Sequence, residues 1–307
     1  MLFGVHLPLI DFGDGLLSPV QLRQYAAGAR ALGYATLSAN DHLVWQRPWL
    51  DGPATLTAVH PEAGDMALAT SIALPVIRHP VVLAKWLTTL GCLTGNRIIA
   101  GLGPGSSGAD YAAVGLPFEQ RWARFDEAFA TVRALVRGER PDPGTHYDLH
   151  DVQMEPVPPV PPEVWFGSWG SEQRLRAMAR VADGWMASGY NTTPERFAEA
   201  RKRLDDNLTV CGRDPESFPD LIATMWVYVS DSHAQTKQLL EGVLAPILRR
   251  DPSQLAAQLP IGPPDHCIEV LSAYQHAGAQ QVLLWPIHDP IQQLHAFHEL
   301  VADQIPR

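Results

Sequence analysis

The sequence predicts a single (β/α)8 barrel, an α/β TIM barrel over residues 1–307, with insertions after the fourth and seventh strands. Three observations predict it. Eight short apolar runs recur, helical patterns fill the gaps between them, and the first four runs start about 31 residues apart, the length of a βα unit. Strands that alternate with helices form a parallel sheet, and eight such units are expected to close into a barrel.

The eight runs are the predicted strands. They cover residues 3–8, 34–40, 66–74, 97–103, 164–168, 184–188, 221–229 and 281–286. The third, MALATSIALP, is continuous in small and apolar residues, as expected for a strand that is buried on both faces.

The predicted helices carry start signals. Ser18-Pro19 supplies an N-cap residue and a first-turn proline, and Gln21 stands at the capping-box position. Thr193-Pro194 and Asp289-Pro290 are expected to open two more helices in the same way. Residues 118–136 repeat aromatic and aliphatic side chains every three or four positions, which indicates an amphipathic helix.

Two insertions interrupt the regular alternation. Residues 139–163 contain seven prolines, which predicts a long irregular segment. Residues 230–265 have the pattern of helices.

Composition excludes several classes of protein. Hydrophobic residues make up 46% and charged residues 18%, which fits a globular domain, and no apolar run is long enough to span a bilayer. MLFGVHLPLI has the pattern of a first strand, not of a signal peptide. The net charge of −10 argues against nucleic acid or an anionic membrane as the main partner. Three widely spaced cysteines form no metal motif, so we expect a reduced, cytoplasmic protein.

Asn40-Asp41-His42 follows the second predicted strand. This is the carboxyl end of the barrel strands, where enzymes with this fold have their active sites. A carboxylate beside an imidazole can bind a polar ring edge and supply a proton near neutral pH. The structural alternative is an aspartate that caps the next element beside an ordinary loop histidine. Trp45 is the third candidate catalytic residue, and His6, in the first run, is a candidate cofactor contact.

A small-residue loop, GLGPGSSG, follows the fourth predicted strand and contains a literal GxGxxG from Gly103 to Gly108. A dinucleotide-binding motif belongs in the first βαβ unit and opens a helix directly, whereas this loop comes fourth and contains Pro104. We therefore favour a loop that lets a cofactor approach the backbone at Gly103, Gly105 and Ser106, with a plain turn as the alternative.

The segment GSWGSE follows the fifth predicted strand and precedes a helix. Free N–H groups at a helix N-terminus beside serine and glycine form an anion site, and late loops of barrels often bind phosphate. Gly167, Ser168, Gly170 and Ser171 are the candidate phosphate contacts. The alternative is simple N-capping by Ser171.

Other patterns favour structure over chemistry. His295, His298 and Glu299 match no zinc motif and are expected on a solvated helix face, so no metal is predicted. No GxSxG nucleophile motif is present. Four tryptophans near strand ends belong in part to the core, and some of them are candidates for an apolar substrate pocket; they are Trp45, Trp49, Trp165 and Trp169.

Residues 69–136 resemble the superfamily of luciferase-like flavin monooxygenases and F420-dependent oxidoreductases. The matching stretches are RHPVVLAK, NRIIAGLG and AVGLPFEQR, supported by ARALGYATLSANDHL, RLRAMARVADGW and the C-terminal AGAQQVLLWP. Within the superfamily, TSIALP followed by LGCLTGNR resembles the branch that uses coenzyme F420, which includes methylene-tetrahydromethanopterin reductases and sugar-phosphate dehydrogenases.

The resemblance implies roles for particular residues. It places Asp41 and His42 at the deazaflavin ring edge and the serine and glycine residues of GSWGS at the phosphate-bearing tail. It implies a cis peptide bond between Ser71 and Ile72, with Ile72 behind the ring. Sugar-phosphate dehydrogenases of this branch carry a catalytic glutamate where this chain has Ser106, which favours a reductase.

We therefore expect a homodimeric, cytoplasmic oxidoreductase that uses F420 and a small-molecule substrate. Two alternatives stay open. One is an FMN-dependent monooxygenase that uses reduced flavin and O2, and the other is a barrel that binds flavin without catalysis.

Overall fold

The computed structural model describes residues 1–95 and 97–305, and its strands form one parallel sheet. Asn96, part of the LGCLTGNR stretch, and the last two residues lie outside the described part. The strands are β1 Leu2–His6, β2 Thr36–Ala39, β3 Ala67–Ala73, β4 Ile98–Leu102, β5 Glu163–Gly167, β6 Gly184–Ser188, β7 Asp220–Val229, β8 Ile261–Gly262 and β9 Gln281–Pro286.

Eight of these strands close into a barrel. Neighbours pair in the order β1 to β7, β9 follows β7, and β9 pairs with β1, which completes the ring. The two-residue β8 pairs with the end of β7 and is not part of the ring. The predicted barrel is confirmed, and every predicted strand boundary lies within two residues of the observed one.

Helices surround the barrel. They are α1 Pro19–Ala31, α2 Gly52–Ala63, α3 Pro75–Arg78, α4 Pro80–Thr94, α5 Gly108–Ala113, α6 Arg121–Leu135, α7 Glu172–Val181, α8 Pro194–Val210, α9 His233–Gln238, α10 Ala245–Leu248, α11 Pro252–Gln258, α12 Pro264–His276 and α13 Pro290–Leu300, with a π-helical turn at Leu239–Leu244. None of the described helices is both long and apolar enough to cross a bilayer.

The helix start signals were mostly correct. Ser18 and Gln21 form the predicted capping box of α1, and the Thr193 hydroxyl caps α8 by accepting from the Arg196 amide. The prediction for Asp289 was wrong in part. Asp289 does precede α13, but its backbone is left-handed (φ 44°), whereas the backbone of an N-cap residue is normally extended. Its side chain caps no amide of the described chain.

The two insertions differ in structure. Residues 136–162, all of them described, contain no helix or strand, as their prolines predicted. Residues 230–265 are mostly helical, as predicted: helix runs from α9 through the π-helical turn to the end of α10, and again in α11. The short strand β8 within this range was not predicted.

The barrel interior is filled by a separate apolar cluster. Its members are Ala69, Ile99, Trp165, Met186, Leu221, Ala223 and Leu283. Gly101 allows this packing, because a Cβ atom there would lie 2.1 Å from the Met186 sulfur and 2.3 Å from the Thr70 carbonyl oxygen. The interior is therefore a packed core, and a ligand can bind only at the ends of the strands.

Candidate active site

A cavity of about 500 Å³ lies at the carboxyl ends of strands β2 to β7. This is the end at which barrel enzymes carry out their chemistry. Among its lining residues are nine of the sequence candidates: Asp41, His42, Ser71, Ile72, Gly105, Ser106, Gly167, Ser168 and Ser171. We call it the first cavity.

Ile72 forms the floor of the first cavity. The Ser71–Ile72 peptide bond is cis, so that prediction is confirmed. Gly103 and Gly167 leave the space that the Ile72 side chain occupies. A Cβ atom on Gly103 would lie 2.1 Å from Cδ1 of Ile72, and one on Gly167 would lie 2.8 Å from Cγ2, both closer than real Cβ atoms approach their neighbours.

His42 is held by a carboxylate that the sequence analysis missed. Its Nδ1 lies 2.6 Å from Oδ2 of the buried Asp110, whose Oδ1 accepts the amide hydrogens of Leu43 (3.0 Å) and Val44 (2.9 Å). Burial alone would raise the pKa of Asp110, but the hydrogen bonds from His42 and these amides outweigh it and lower the pKa. The ionised carboxylate accepts the Nδ1 hydrogen, which leaves Nε2 to exchange a proton with a ligand.

Asp41 lines the cavity, but its carboxylate is already engaged. The Arg78 guanidinium donates to both oxygens, at 2.7 Å and 2.6 Å, and the Leu74 amide donates to Oδ2 at 3.1 Å. Arg78 also donates to Asp51. A buried carboxylate that accepts from these donors is fixed in place, so the arrangement suits a rigid wall better than a mobile base.

His6 and Trp45 lie behind the cavity wall and do not line it. His6 is fully buried, its ring nitrogens lie 3.4 Å from the Ser71 hydroxyl, and burial lowers its pKa to about 3. It is therefore neutral and supports the strand that carries Ile72. The Trp45 ring packs 4.1 Å from His42 between centroids.

The N-terminus of α7 faces the first cavity. Ser171 occupies the N-cap position, but no side chain of the described residues caps this helix, so the alternative of capping by the Ser171 hydroxyl was wrong. The Ser168 hydroxyl accepts the Gly170 amide at 3.2 Å. Arg174, one turn into α7, is buried, lines the cavity and pairs with Asp126 at 2.7 Å. Free amides, hydroxyls and a guanidinium at one helix end are suited to a phosphate.

Sequence reasoning found most of the cavity and missed its charged partners. Gly103 and Gly170 do not line the cavity; Gly103 packs behind Ile72, and Gly170 adopts φ 85° in the turn before α7. Asp110 had a detectable signal, because Ser107 and Asp110 form an S-x-x-D cap at the start of α5. Arg174 gave none, since a basic residue in an amphipathic helix usually faces solvent.

A second cavity, of about 450 Å³, lies at the ends of β7 and β9 beside the loop after β1. Four tryptophans, which we call the tryptophan cluster, run from His42 toward it: Trp45, Trp49, Trp226 and Trp285. Trp49 lies 4.7 Å from His42 and 5.8 Å from Trp285 between ring centroids, and Trp285 stacks on Trp226 at 4.2 Å.

Of the four tryptophans proposed from the sequence, Trp165 belongs to the barrel core and Trp169 is exposed at the first cavity.

Known proteins resemble this chain over nearly its whole length. Residues 11–254 match the family model of luciferase-like monooxygenases. An F420-dependent glucose-6-phosphate dehydrogenase of Beutenbergia cavernae is 29% identical, over 94% of this chain and 93% of that protein. The fold matches an F420-dependent secondary alcohol dehydrogenase in complex with an F420-acetone adduct, with a TM-score of 0.86, 15% identity and 100% and 99% coverage of the two chains. It also matches a monooxygenase of Streptomyces bottropensis, with a TM-score of 0.85, 20% identity and full coverage of both.

Proposed function

The chain belongs to the luciferase-like monooxygenase family, and from that premise we propose that it transfers a hydride between coenzyme F420 and a small organic substrate. One observation carries the proposal: the first cavity joins the His42–Asp110 pair, the Ile72 floor and the uncapped end of α7 in a single space. The relative from Beutenbergia cavernae, whose name specifies F420, supports this choice of cofactor.

The residues present fit such a cofactor. Ile72 would support the middle of the ring, and Ser168, Ser171 and the first amides of α7 would hold the phosphate of the tail. Arg174 adds a positive charge there, although Asp126 neutralises part of it. When bound, F420 supplies or accepts a hydride, and the protein contributes binding and orientation.

His42 is the proton-transfer residue in this proposal. Its Nε2 exchanges a proton with the reacting substrate oxygen, while Asp110 fixes the ring orientation and stabilises the charged imidazolium. Asp41, fixed by Arg78, would contact the polar edge of the cofactor ring and keep His42 in position on the same loop. The Trp45 ring packs against the imidazole.

We propose the reductase direction. Ser106 lines the first cavity at the position where the resemblance places a glutamate in sugar-phosphate dehydrogenases. A serine hydroxyl cannot replace a carboxylate as a general base, so oxidation of an alcohol by the route that uses this glutamate is not available here. The proton then passes through His42 alone, and an imidazolium held by Asp110 can donate it to a carbonyl oxygen in the reductase direction.

An FMN-dependent monooxygenase is the second candidate. The N-terminus of α7 would bind the phosphate of FMN as readily as that of F420. The description of the matching family also names monooxygenase activity. Uptake of O2 by the protein with reduced FMN would favour this candidate.

Titration of the apo-protein with each cofactor tests the proposal. We expect F420 to bind with a dissociation constant of about 1 μM or lower and FMN to bind more weakly, as measured by cofactor fluorescence. Ser171→Asp should weaken F420 binding about 10-fold or more, because it sets a carboxylate against the phosphate. Ser217→Asp, at the opposite end of the barrel just before β7, is the matched control. Tight FMN binding without detectable F420 binding would overturn the proposal.

A homodimer in the cytoplasm stays a prediction from the resemblance and the cysteine usage. Sedimentation velocity should give a species of twice the chain mass of 33.7 kDa. A monomer across the concentration range would contradict it.

A further inference from the structure

Two arginines line the first cavity, and their surroundings differ. They are Arg121 and Arg174, and none of the three lysines of the sequence lines it. Arg174 is buried and pairs with Asp126 at 2.7 Å. Arg121 is half-buried and forms no ion pair with a carboxylate of the described residues. Its guanidinium donates to the Phe118 carbonyl oxygen at 3.2 Å and packs over the Phe118 ring at 4.1 Å.

The unpaired charge of Arg121 matters because the chain as a whole is acidic. With a net charge of −10, the protein does not attract anions in general, so an anionic ligand has to be held by local positive groups. Arg174 has part of its charge neutralised by Asp126. Arg121 is therefore the cation of the first cavity whose charge is fully available to a ligand.

Arg121 also stands where a positive charge does not stabilise the fold. It is the first residue of α6, and the first turn of this helix contains Arg121 and Arg124 and no acidic residue. The N-terminus of a helix carries a partial positive charge, which favours acidic residues there and disfavours basic ones. A bound anion would be attracted by the guanidinium and by the helix end together, so this position suits ligand binding better than stability.

The surroundings of Arg121 place it next to the proposed phosphate site, toward the open rim of the cavity. The following residue, Trp122, holds the Arg174 guanidinium 4.0 Å from its ring centroid, and Arg174 lies one turn into α7. Arg174 is 9% exposed, whereas Arg121 is half-buried and Trp169, which lines the same cavity, is 63% exposed. A ligand that runs from Ile72 past the N-terminus of α7 therefore leaves the cavity beside Arg121.

We propose that Arg121 binds a carboxylate that F420 carries beyond its phosphate, and that this contact favours F420 over FMN. F420 continues past its phosphate into a lactyl and glutamyl chain that bears carboxylates, whereas FMN ends at its phosphate. The proposal rests on the proposed function, because it assigns a further residue of the same cavity to the tail of the cofactor.

The guanidinium of Arg121 has the donors that this contact needs. It offers five N–H groups in a planar fork, and one of them is used by the Phe118 carbonyl oxygen, so a bidentate contact with a carboxylate stays open. The Phe118 ring and carbonyl hold the guanidinium in place before a ligand arrives, which lowers the entropy lost on binding. Arg174 is less suited to this contact, since Asp126 already accepts from it.

Fluorescence titration of the apo-protein with two ligands tests the assignment. One is F420, and the other is an analogue in which a methyl group replaces everything beyond the phosphate, so that the ring, the ribityl chain and the singly charged phosphate diester are the same. We expect the parent protein to bind F420 about 10-fold more tightly than the analogue, the size of one hydrogen-bonded contact between charged groups. Arg121→Gln should weaken binding of F420 about 10-fold and binding of the analogue less than about 2-fold.

Two further variants and a stability measurement serve as controls. Arg124→Gln makes the same change one turn further along α6, where the side chain donates to Gln120 and does not line the cavity, and it should leave both dissociation constants within about 2-fold of the parent values. Arg121→Lys keeps the charge but not the planar fork, so it should retain about 3-fold preference for F420 over the analogue. Thermal unfolding of the Arg121→Gln apo-protein should match that of the parent, which separates loss of a ligand contact from loss of structure.

The outcomes distinguish this assignment from the proposed function. If the parent protein binds neither ligand, the proposed function fails and the role of Arg121 fails with it. If both ligands bind and Arg121→Gln weakens them equally, the guanidinium contacts the phosphate or the ring. If the variant weakens neither, the guanidinium contacts no part of the cofactor. Either of the last two results overturns the assignment of Arg121 and leaves the proposed function standing.

Discussion

The two sides of the barrel mouth are made of different kinds of residue, although both are built on the ends of parallel strands. On the side of β2 to β6, glycines and serines surround Ile72, and a helix end and two arginines supply positive charge. On the side of β1, β7 and β9, large aromatic rings and carboxylates replace them. The first arrangement lets a ligand reach the backbone and suits a phosphorylated cofactor. The second presents large side chains in place of backbone.

The largest effect is expected where the two sides meet, at His42. His42→Ala should lower turnover on the true substrate by roughly 10²–10⁴-fold, the usual range for loss of a general acid or base. F420 affinity should change much less, because the phosphate contacts lie at α7. His276→Ala, at the exposed end of α12, is the control. Near-native turnover of the His42 variant would show that the imidazole is only structural.

Crowding the floor of the first cavity should affect only the cofactor side. Gly103→Ala would place a Cβ atom 2.1 Å from Ile72 and push that side chain toward the cavity. Overpacking of this kind costs about 1–3 kcal/mol of stability. An Ile72 side chain displaced into the cavity also overlaps the place proposed for the ring, so we expect F420 to bind about 10-fold more weakly or worse. Gly108→Ala has no atom within 4 Å of the added carbon and should bind normally. An unchanged dissociation constant for the Gly103 variant would remove Ile72 from the cofactor site.

The buried His6 lies between the two sides of the barrel mouth, since it stacks on Trp285 and contacts Ser71. Its burial makes the stability of the folded protein depend on pH. Its pKa of about 3 in the folded protein lies below its ordinary value of 6.5, so between these values the unfolded chain binds the extra proton. Stability should fall by about 1.4 kcal/mol per pH unit as the pH drops below 6.5.

His6→Asn should remove this dependence. Urea unfolding at pH 7 and pH 5 should show a decline that is about 2 kcal/mol smaller in the variant than in the parent protein. His276→Asn, which changes an exposed histidine, should keep the parent's decline. The same decline in the His6 variant would mean that His6 is not buried as a neutral group.

The sequence predicted the barrel well because its strands are defined by local patterns. Apolar runs, proline start signals and the spacing of βα units are all readable along the chain, and the cis bond at Ser71–Ile72 followed from the resemblance. Contacts across the barrel were not readable in this way. His42 and Asp110 are 68 positions apart, and their pairing depends on where α5 begins after a loop rich in glycine.

The tryptophan cluster was harder to predict for the same reason. Trp226 and Trp285 come together because β7 and β9 pair in a register that sets these two residues side by side. A bulge in β7 between Ile222 and Met225, with Thr224 in a left-handed conformation, shifts that register by a residue and decides which side chains face the mouth. Nothing in the local sequence of β7 marks that shift.

A crystal structure of the complex with F420 would show whether the cofactor occupies only the β2 to β6 side of the barrel mouth. We expect the ring to lie over Ile72 with its edge at His42, the phosphate to lie at the N-terminus of α7 beside Ser171, and the tryptophan cluster to stay free of cofactor. A ring stacked on Trp49 or Trp285, with the phosphate away from α7, would contradict this expectation.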